Sequence, residues 1–249
     1  MFDEGTGLPI VVIPGVQGRW EWMRPALRAL SERCRVISYS LETAKTFDEL
    51  VAQVDCVLDR CGVQTAAICG ISFGGLVATK YAAARPGRTS ALVVASTPSP
   101  AWVPSPAQAR HLASPWRSTP AFLATAPGRM WPEIAAAIDD WPSRLRFCAG
   151  HVARIVAAPI VPAEMAARMR LRPGVELERD CARVRARTLV ITGSPELDRV
   201  VPVASTQEFV TLVRNATYTM MDRTGHIGLV TQPDRFARIV GDFVNASSS

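Results

Sequence analysis

Six short apolar runs rich in Val and Ile recur along this chain, each separated from the next by a helix-like pattern. They are "PIVVIP" (9–14), "CRVISYS" (34–40), "TAAICG" (65–70), "SALVVAS" (90–96), "RTLVITG" (187–193) and the less apolar "ATYTMMD" (216–222). A continuous run of this length reads as a strand buried on both faces. Between the runs the period changes. Residues 20–32 carry Trp22, Leu27 and Leu30, and residues 46–60 carry Phe47, Leu50, Val51, Val54, Val57 and Leu58 at spacings of three and four. Thr46 or Asp48 is the expected cap of the second helix. Residues 73–85 predict a small-residue helix, and 202–214 and 227–246 the last two. Strand and helix alternating this often predict an α/β fold, a mostly parallel sheet with helices on both faces.

One segment breaks the alternation. Residues 97–186 open with Pro98, Pro100, Pro104 and Pro106, with Pro115 and Pro120 following, which disfavours helix and central strand alike. Ala-rich helical pieces then follow at roughly 119–126, 131–139, 142–157 and 162–171. The expected organisation is a core built from 1–96 and 187–249, with 97–186 inserted as a helical cap. This insertion holds Trp102, Trp116, Trp131 and Trp141, four of the six tryptophans.

Charge and cysteine content exclude several function classes. The net charge is +6, and between Thr97 and Arg187 there are 13 arginines against 7 acids, so the excess sits in this one segment and not along the whole chain. Only Lys45 and Lys80 among the 28 basic residues are lysines. None of this basic character sits in a nucleic-acid-binding motif, and Arg110, Arg117, Arg144 and Arg146 read as a solvated helix face. Cys34, Cys56, Cys61, Cys69, Cys148 and Cys181 form no C-x-x-C pair and have no histidine at metal spacing, so small reduced hydrophobes are expected and no metal site. No run reaches the roughly 18–20 apolar residues of a membrane span, and the first residues do not resemble a secretory signal. A cytoplasmic protein, monomeric or homodimeric, without nucleic-acid or membrane partners is the expectation.

The run at 65–70 leads into "CGISFGGL" (69–76), a G-x-S-x-G match with a strand ending before Ser72 and a helix starting after it. A serine at that junction sits in a sharp turn above the C-terminal edge of the sheet, where open α/β sheets place ligands. The first turn of the next helix offers free N–H groups to a developing oxyanion. A serine hydroxyl needs a general base held by a third group. Of the three histidines, His111 lies in the Pro-rich opening and His151 in the middle of a helix in "FCAGHVARIV". His226, in "MDRTGHIGLV", follows the last strand and returns to the edge that carries Ser72. The acid then comes from "LVITGSPELDRVVPV" (189–203), where Glu196 and Asp198 are both available.

With these motifs in this order the chain resembles the α/β-hydrolase family, in which G-x-S-x-G, a D-x-x-x-P turn and a late Gly-His follow one another. The resemblance implies Ser72 as nucleophile, Asp198 as acid and His226 as base. It selects Asp198 through its spacing to Pro202, although the distance from the strand-ending glycine favours Glu196. It also implies oxyanion donors at the N–H groups of Val16 and Phe73, and a lid at 97–186. This chain departs from the family in having Pro14-Gly15 where His-Gly is usual, with Gln17 nearby as a polar contact. It lacks the Arg-Gly-x-Gly loop, and the family's first strand has no counterpart, which would leave one sheet edge exposed or covered by a partner.

A serine nucleophile points to acyl transfer to water from an ester, thioester or related carbonyl compound, with no cofactor. Relatives of this fold that place aspartate there, the epoxide hydrolases and dehalogenases, are disfavoured. Trp102, Trp116, Trp131, Trp141 and Phe147 are candidate walls of an apolar substrate pocket, although packing of the insertion onto the sheet accounts for such residues equally well. A carboxylesterase acting on a small, largely apolar molecule is the leading expectation. A C–C bond hydrolase or lyase acting on an anionic substrate with the same triad, and a receptor-like ligand binder with little turnover, are the alternatives.

Overall fold

A computed structural model describes residues 1–246, apart from the side chains of residues 107, 111, 112, 115, 116 and 118–123. Seven strands form one sheet: β1 (Phe2–Glu4), β2 (Pro9–Ile13), β3 (Arg35–Ser38), β4 (Ala66–Ile71), β5 (Thr89–Ala95), β6 (Arg187–Thr192) and β7 (Ala216–Met220). Their order is β1-β3-β2-β4-β5-β6-β7. Only β1 runs antiparallel, with Phe2 opposite Ser38 on β3; the other five pairings are parallel. All six apolar runs are strands.

Alternation along each strand divides the core in two. Val11, Ile13, Ile68, Leu92 and Val190 face a cluster built with α2 (Phe47–Arg60), α3 (Phe73–Ala84) and α9 (Val203–Leu212). Ile10, Val12, Cys69, Val93 and Ile191 face the opposite cluster, built with α1 (Arg24–Ser31), α10 (Gly228–Thr231) and α11 (Pro233–Asn245). The period-two pleat therefore buries both faces of the sheet. Thr46 caps α2 as expected, accepting from Glu49 N at 3.2 Å. The predicted helix at 20–32 is a 3₁₀ turn (Trp20–Met23) followed by α1, with Pro25 in its first turn. The one predicted at 227–246 is broken into α10 and α11 by Pro233, which opens the second of them.

Between β5 and β6 lie α4 (Pro106–Ala113), α5 (Pro115–Ala137), α6 (Trp141–Ala157), α7 (Pro162–Arg170) and α8 (Leu177–Arg183). Helix starts much earlier in this segment than its prolines suggested. Pro106 sits at the start of α4, where a missing N–H costs nothing, behind a Ser105–Gln108 capping box. The pieces expected at 119–126 and 131–139 are one 23-residue helix. It runs through Pro120, Pro127 and Pro132, and its packing on α4, α7 and α10 offsets the backbone bonds they remove. Arg144 of α6 donates to the carbonyls of Ala135 and Ile138, both at 2.8 Å, and so satisfies the C-terminal end of α5.

The last helix of the expected 97–186 segment packs differently from the others. Leu177, Cys181 and Val184 belong to the main core cluster, and α8 packs on α3. α8 is thus a layer helix of the sheet. Among the cysteines, Cys34, Cys69 and Cys181 are buried as expected, whereas Cys56 is exposed and Cys61 and Cys148 are half-buried; all six are free thiols.

Close backbone approach explains why glycine occupies two positions around Ser72. A Cβ on Gly70 would lie 2.3 Å from the Gly74 carbonyl oxygen, and one on Gly74 would lie 2.4 Å from that of Ile13. One neighbour is backbone of the first turn of α3 and the other is backbone of β2, so neither yields without moving a helix or a strand. Gly74→Ala is expected to lower stability by about 1–3 kcal/mol or more, read as a reduced urea midpoint. An unchanged midpoint would show that β2 and α3 are less tightly apposed than this.

Candidate active site

Ser72 occupies the single residue between β4 and α3, with φ 53° and ψ −122°. For a non-glycine residue this conformation is strained, at about 1–3 kcal/mol. Two backbone hydrogen bonds hold it: Ser72 N donates to Ala95 O at 2.8 Å, and Gly75 N donates to Ser72 O at 2.9 Å. The chain thereby turns directly from strand to helix and leaves the side chain at the C-terminal sheet edge.

His226 and Asp198 arrive from the loops after β7 and β6. With its proton on Nδ1, the imidazole donates to Asp198 Oδ2 at 3.2 Å, and Nε2 accepts from the Ser72 hydroxyl at 3.1 Å. The Asp198 side chain is only 1% exposed. Its other oxygen accepts from Val200 N at 3.0 Å and Val201 N at 2.9 Å, so the carboxylate is aimed from both sides. Glu196 is exposed and takes no part. The two loops are stitched together, with Ser194 N donating to Thr224 O at 2.7 Å and Arg223 N to Ser194 Oγ at 3.1 Å. Gly193 lets them meet: a Cβ there would lie 2.4 Å from Thr224 O.

The β2–α1 loop closes the third side. A Cβ on Gly15 would lie 3.4 Å from Ser72 Cβ and 2.7 Å from Gln17 Oε1. Residues 15–17 therefore lie against the serine, with the Gln17 side chain folded back over Gly15. Phe73 opens α3, so its N–H is one of the four that a helix start leaves without an intrahelical acceptor. Val16 is held from the insertion. Arg168 of α7, only 3% exposed, donates to Val16 O at 3.0 Å, Leu41 O at 2.8 Å and Glu164 at 2.9 Å.

Opposing forces set the titration of the pair. Burial favours the neutral Asp198 carboxyl, but the charge and hydrogen bond of His226, with the Val201 and Val200 N–H groups, bring it below the ordinary carboxylate range. Burial likewise disfavours imidazolium at His226, and the carboxylates of Asp198 and Glu133 outweigh it, so this histidine titrates above its ordinary value.

Glu133 is a residue that sequence reasoning missed. It stands on α5, 2% exposed, and accepts from Ile227 N at 3.1 Å and Thr231 Oγ1 at 3.3 Å. Burial raises its carboxyl, against the pull of the Gly225 and Ile227 N–H groups. Arg168 was missed in the same way. Both lie in Ala-rich helices with no local signature, and their meaning appears only once those helices are docked.

The remaining expected residues scatter. Trp102 stacks under the Arg172 guanidinium at 5.3 Å, and Arg172 in turn donates to Ser99 O and Pro100 O. Trp131 and Trp141 meet edge to face at 5.7 Å, and both are exposed. Phe147 stacks on His151 and packs against the core cluster of α1 and α11. The side chains of Trp116 and His111 lie outside the described residues. None of the described four touches the triad; Trp102 and Phe147 act in packing. The groove of about 600 Å³ lined by Lys45, Asp48, Lys80 and Asp180 shares no residue with the triad.

The family model for the alpha/beta hydrolases matches residues 10–239. This chain is a member of the alpha/beta hydrolase family. Among curated proteins, a putative carbamate hydrolase RutD of Azorhizobium caulinodans is 29% identical over 99 residues, a match covering 36% of this chain and 37% of that protein. Among solved structures, the enol-lactonase of Burkholderia xenovorans LB400 superposes with a TM-score of 0.76 at 21% identity, covering 98% of this chain and 95% of that one. A thermophilic esterase of Thermogutta terrifontis gives 0.77 at 20% identity, with 98% and 92% covered. At such identities these two likenesses are of fold. As in the family, the order along this α/β-hydrolase is serine, acid, histidine.

The histidines of this family member are expected to separate by NMR. His151, packed between Phe147 and Trp22, is pushed down to about 4, by burial first and then by Arg154. His226 is displaced the opposite way, above the ordinary imidazole value of about 6.5. Nitrogen-15 chemical shifts followed from pH 3 to 9, assigned with His151→Gln, read both. A His226 midpoint below 6.5 would mean that burial outweighs the two carboxylates.

Proposed function

We propose that this protein is a serine hydrolase that cleaves a carboxylic ester or thioester of a small, largely apolar substrate through an acyl-enzyme on Ser72. The observation that carries the reading is the unbroken line from Ser72 Oγ to His226 Nε2, and from His226 Nδ1 to Asp198. In the proposed cycle Ser72 Oγ attacks the substrate carbonyl carbon as its proton passes to His226 Nε2. The carbonyl π electrons move onto oxygen, and that oxyanion is stabilised by the N–H groups of Val16 and Phe73. When the tetrahedral adduct collapses, the C–O or C–S bond breaks and the leaving group takes the proton from His226. Water then gives a proton to the same imidazole, its oxygen attacks the acyl carbon, and collapse releases the acid and regenerates the Ser72 hydroxyl. Asp198 stabilises the imidazolium formed in both halves without itself taking a proton.

We assign the helical segment between β5 and β6 the part of a cap that covers the site and selects the substrate. Its support lies in α5 and α7, which carry Glu133 and Arg168 onto the loops of the base and of the oxyanion site. The lactonase and esterase that share the fold are in keeping with carbonyl chemistry on this scaffold, and the reading for this chain rests on its own residues.

Intact mass after treatment with a fluorophosphonate tests the nucleophile. Wild type is expected to gain one adduct per chain and Ser72→Ala none. In p-nitrophenyl ester hydrolysis, Asp198→Asn is expected to lower kcat by about 10³–10⁴-fold, the imidazole being left in the wrong tautomer. Folded wild-type protein that takes up no adduct would sink the hydrolase reading and favour a ligand-binding role.

A further inference from the structure

The insertion places a second buried carboxylate beside the imidazole of His226. One oxygen of Glu133 accepts from the N–H of Ile227, the residue next to the histidine, and the other from the Thr231 hydroxyl one turn further on. The same oxygen that meets Ile227 lies 2.8 Å from where a Cβ on Gly225 would sit. The carboxylate thus grips the backbone on both sides of His226. From the other direction, Arg223 donates to Ala136 O at 2.7 Å and pairs with Asp139 just beyond α5. The C-terminal part of α5 and the His226 loop are therefore fastened twice, once by a core residue reaching out and once by an inserted residue reaching in.

We propose that Glu133 is a positioning residue for the general base, holding the His226 loop in register and setting a second negative charge beside the imidazole. The base is then complete only when α5 is docked. This rests on the serine-hydrolase reading for its catalytic meaning, though not for its geometry.

Three observations carry it. A carboxylate with 2% exposure is costly to bury without partners, and its partners here are two groups of the His226 segment. Gly225 leaves room for it: a Cβ there would lie 2.8 Å from Glu133 Oε2 and 2.5 Å from Leu197 O, so only glycine lets the loop pass between the carboxylate and the β6–α9 loop. Third, the charged groups facing the imidazole are few. Asp198 comes from the β6–α9 loop and Glu133 from α5, and both favour imidazolium. On its own loop, Asp222 is paired with Arg235, and Arg223 is turned away to α5. Arg199, beside the acid, points to Gly128 O at 3.5 Å.

Two substitutions separate charge from grip. Glu133→Gln keeps an acceptor for Ile227 N and an amide able to donate to Thr231, and removes only the charge. Glu133→Ala removes both. The His226 titration midpoint, read by nitrogen-15 NMR, is expected to move to lower pH in Glu133→Gln, and the acid limb of kcat/KM with it. Glu133→Ala is expected to lose in addition up to about 10²-fold in kcat, the cost of a misplaced base. The NMR reading needs no turnover, so it tests the placement of Glu133 even if wild type takes up no fluorophosphonate and the hydrolase reading fails. An unmoved His226 midpoint in folded Glu133→Gln overturns the proposal and leaves Glu133 a structural fastening. Should Glu133→Ala fail to fold, Glu133→Gln alone decides.

Discussion

The site depends on a backbone conformation that Ser72 does not favour. At φ 53° and ψ −122° the residue is held in place by its surroundings, at a cost of about 1–3 kcal/mol. Those surroundings are wholly buried and closely apposed. Every residue of β4 is buried, and the carbonyls of Ile13 and Pro14 press on Gly74 from β2. Thr97, at the end of β5, presses on Gly75 from the other side. Two adjacent strands and the helix start together over-determine one turn. The distance from Ser72 Oγ to His226 is therefore set by the sheet, and the loops that bring histidine and acid need only match an edge that does not move.

They match it through bonds to each other. Gly193, Ser194, Thr224 and Gly225 form a contact between the loops after β6 and β7 that leaves no room for a side chain on either glycine. Asp198 is then fixed by two backbone N–H groups, so its second oxygen can point only at the imidazole. What the sheet does not supply comes from the inserted helices, and it comes as charge. Arg168 and Glu133, of opposite sign and both almost wholly buried, spend most of their hydrogen bonds on backbone groups of the loops at residues 16–18, 41 and 225–227. A buried charge that lost such partners would carry the full cost of its desolvation. The docking of these helices and the geometry of the loops are thus coupled in both directions.

How much of this was legible in the sequence follows from the range of each signal. All six apolar runs became strands; for five of them burial on both faces needs only local composition, whereas β7, at the sheet edge, stays largely exposed. Ser72, His226 and Asp198 were legible for a related reason: each stands just past a strand end, so the topology brings them to one edge once strand order is known. That Asp198 and not Glu196 meets the imidazole is visible only with the loop folded, since both precede the same proline. The insertion resisted reading because proline is a reliable helix breaker only where nothing else opposes it, and here α5 runs through Pro120, Pro127 and Pro132. Tryptophans were misleading in the same region. A large aromatic signals burial or binding without saying which, and Trp131 and Trp141 spend their area mainly on each other and on solvent.

Glu133 is the case where local reading had least purchase. In "WPEIAAA" an acid among alanines is an ordinary solvent-facing residue of a helix. Its burial is created by α10 and the His226 loop, more than ninety residues later in the chain. The consequence is electrostatic. One carboxylate beside an imidazole orients it and steadies its cation. A second one nearby adds attraction for the cation without competing for Nδ1, because its own oxygens are already occupied by Ile227 and Thr231. The two carboxylates that favour the His226 cation thus come from different parts of the fold, Asp198 from the loop after β6 and Glu133 from α5. Withdrawal of α5 would release the loop and weaken the base in one motion. On the proposed reading, docking of α5 and completion of the base would be a single event.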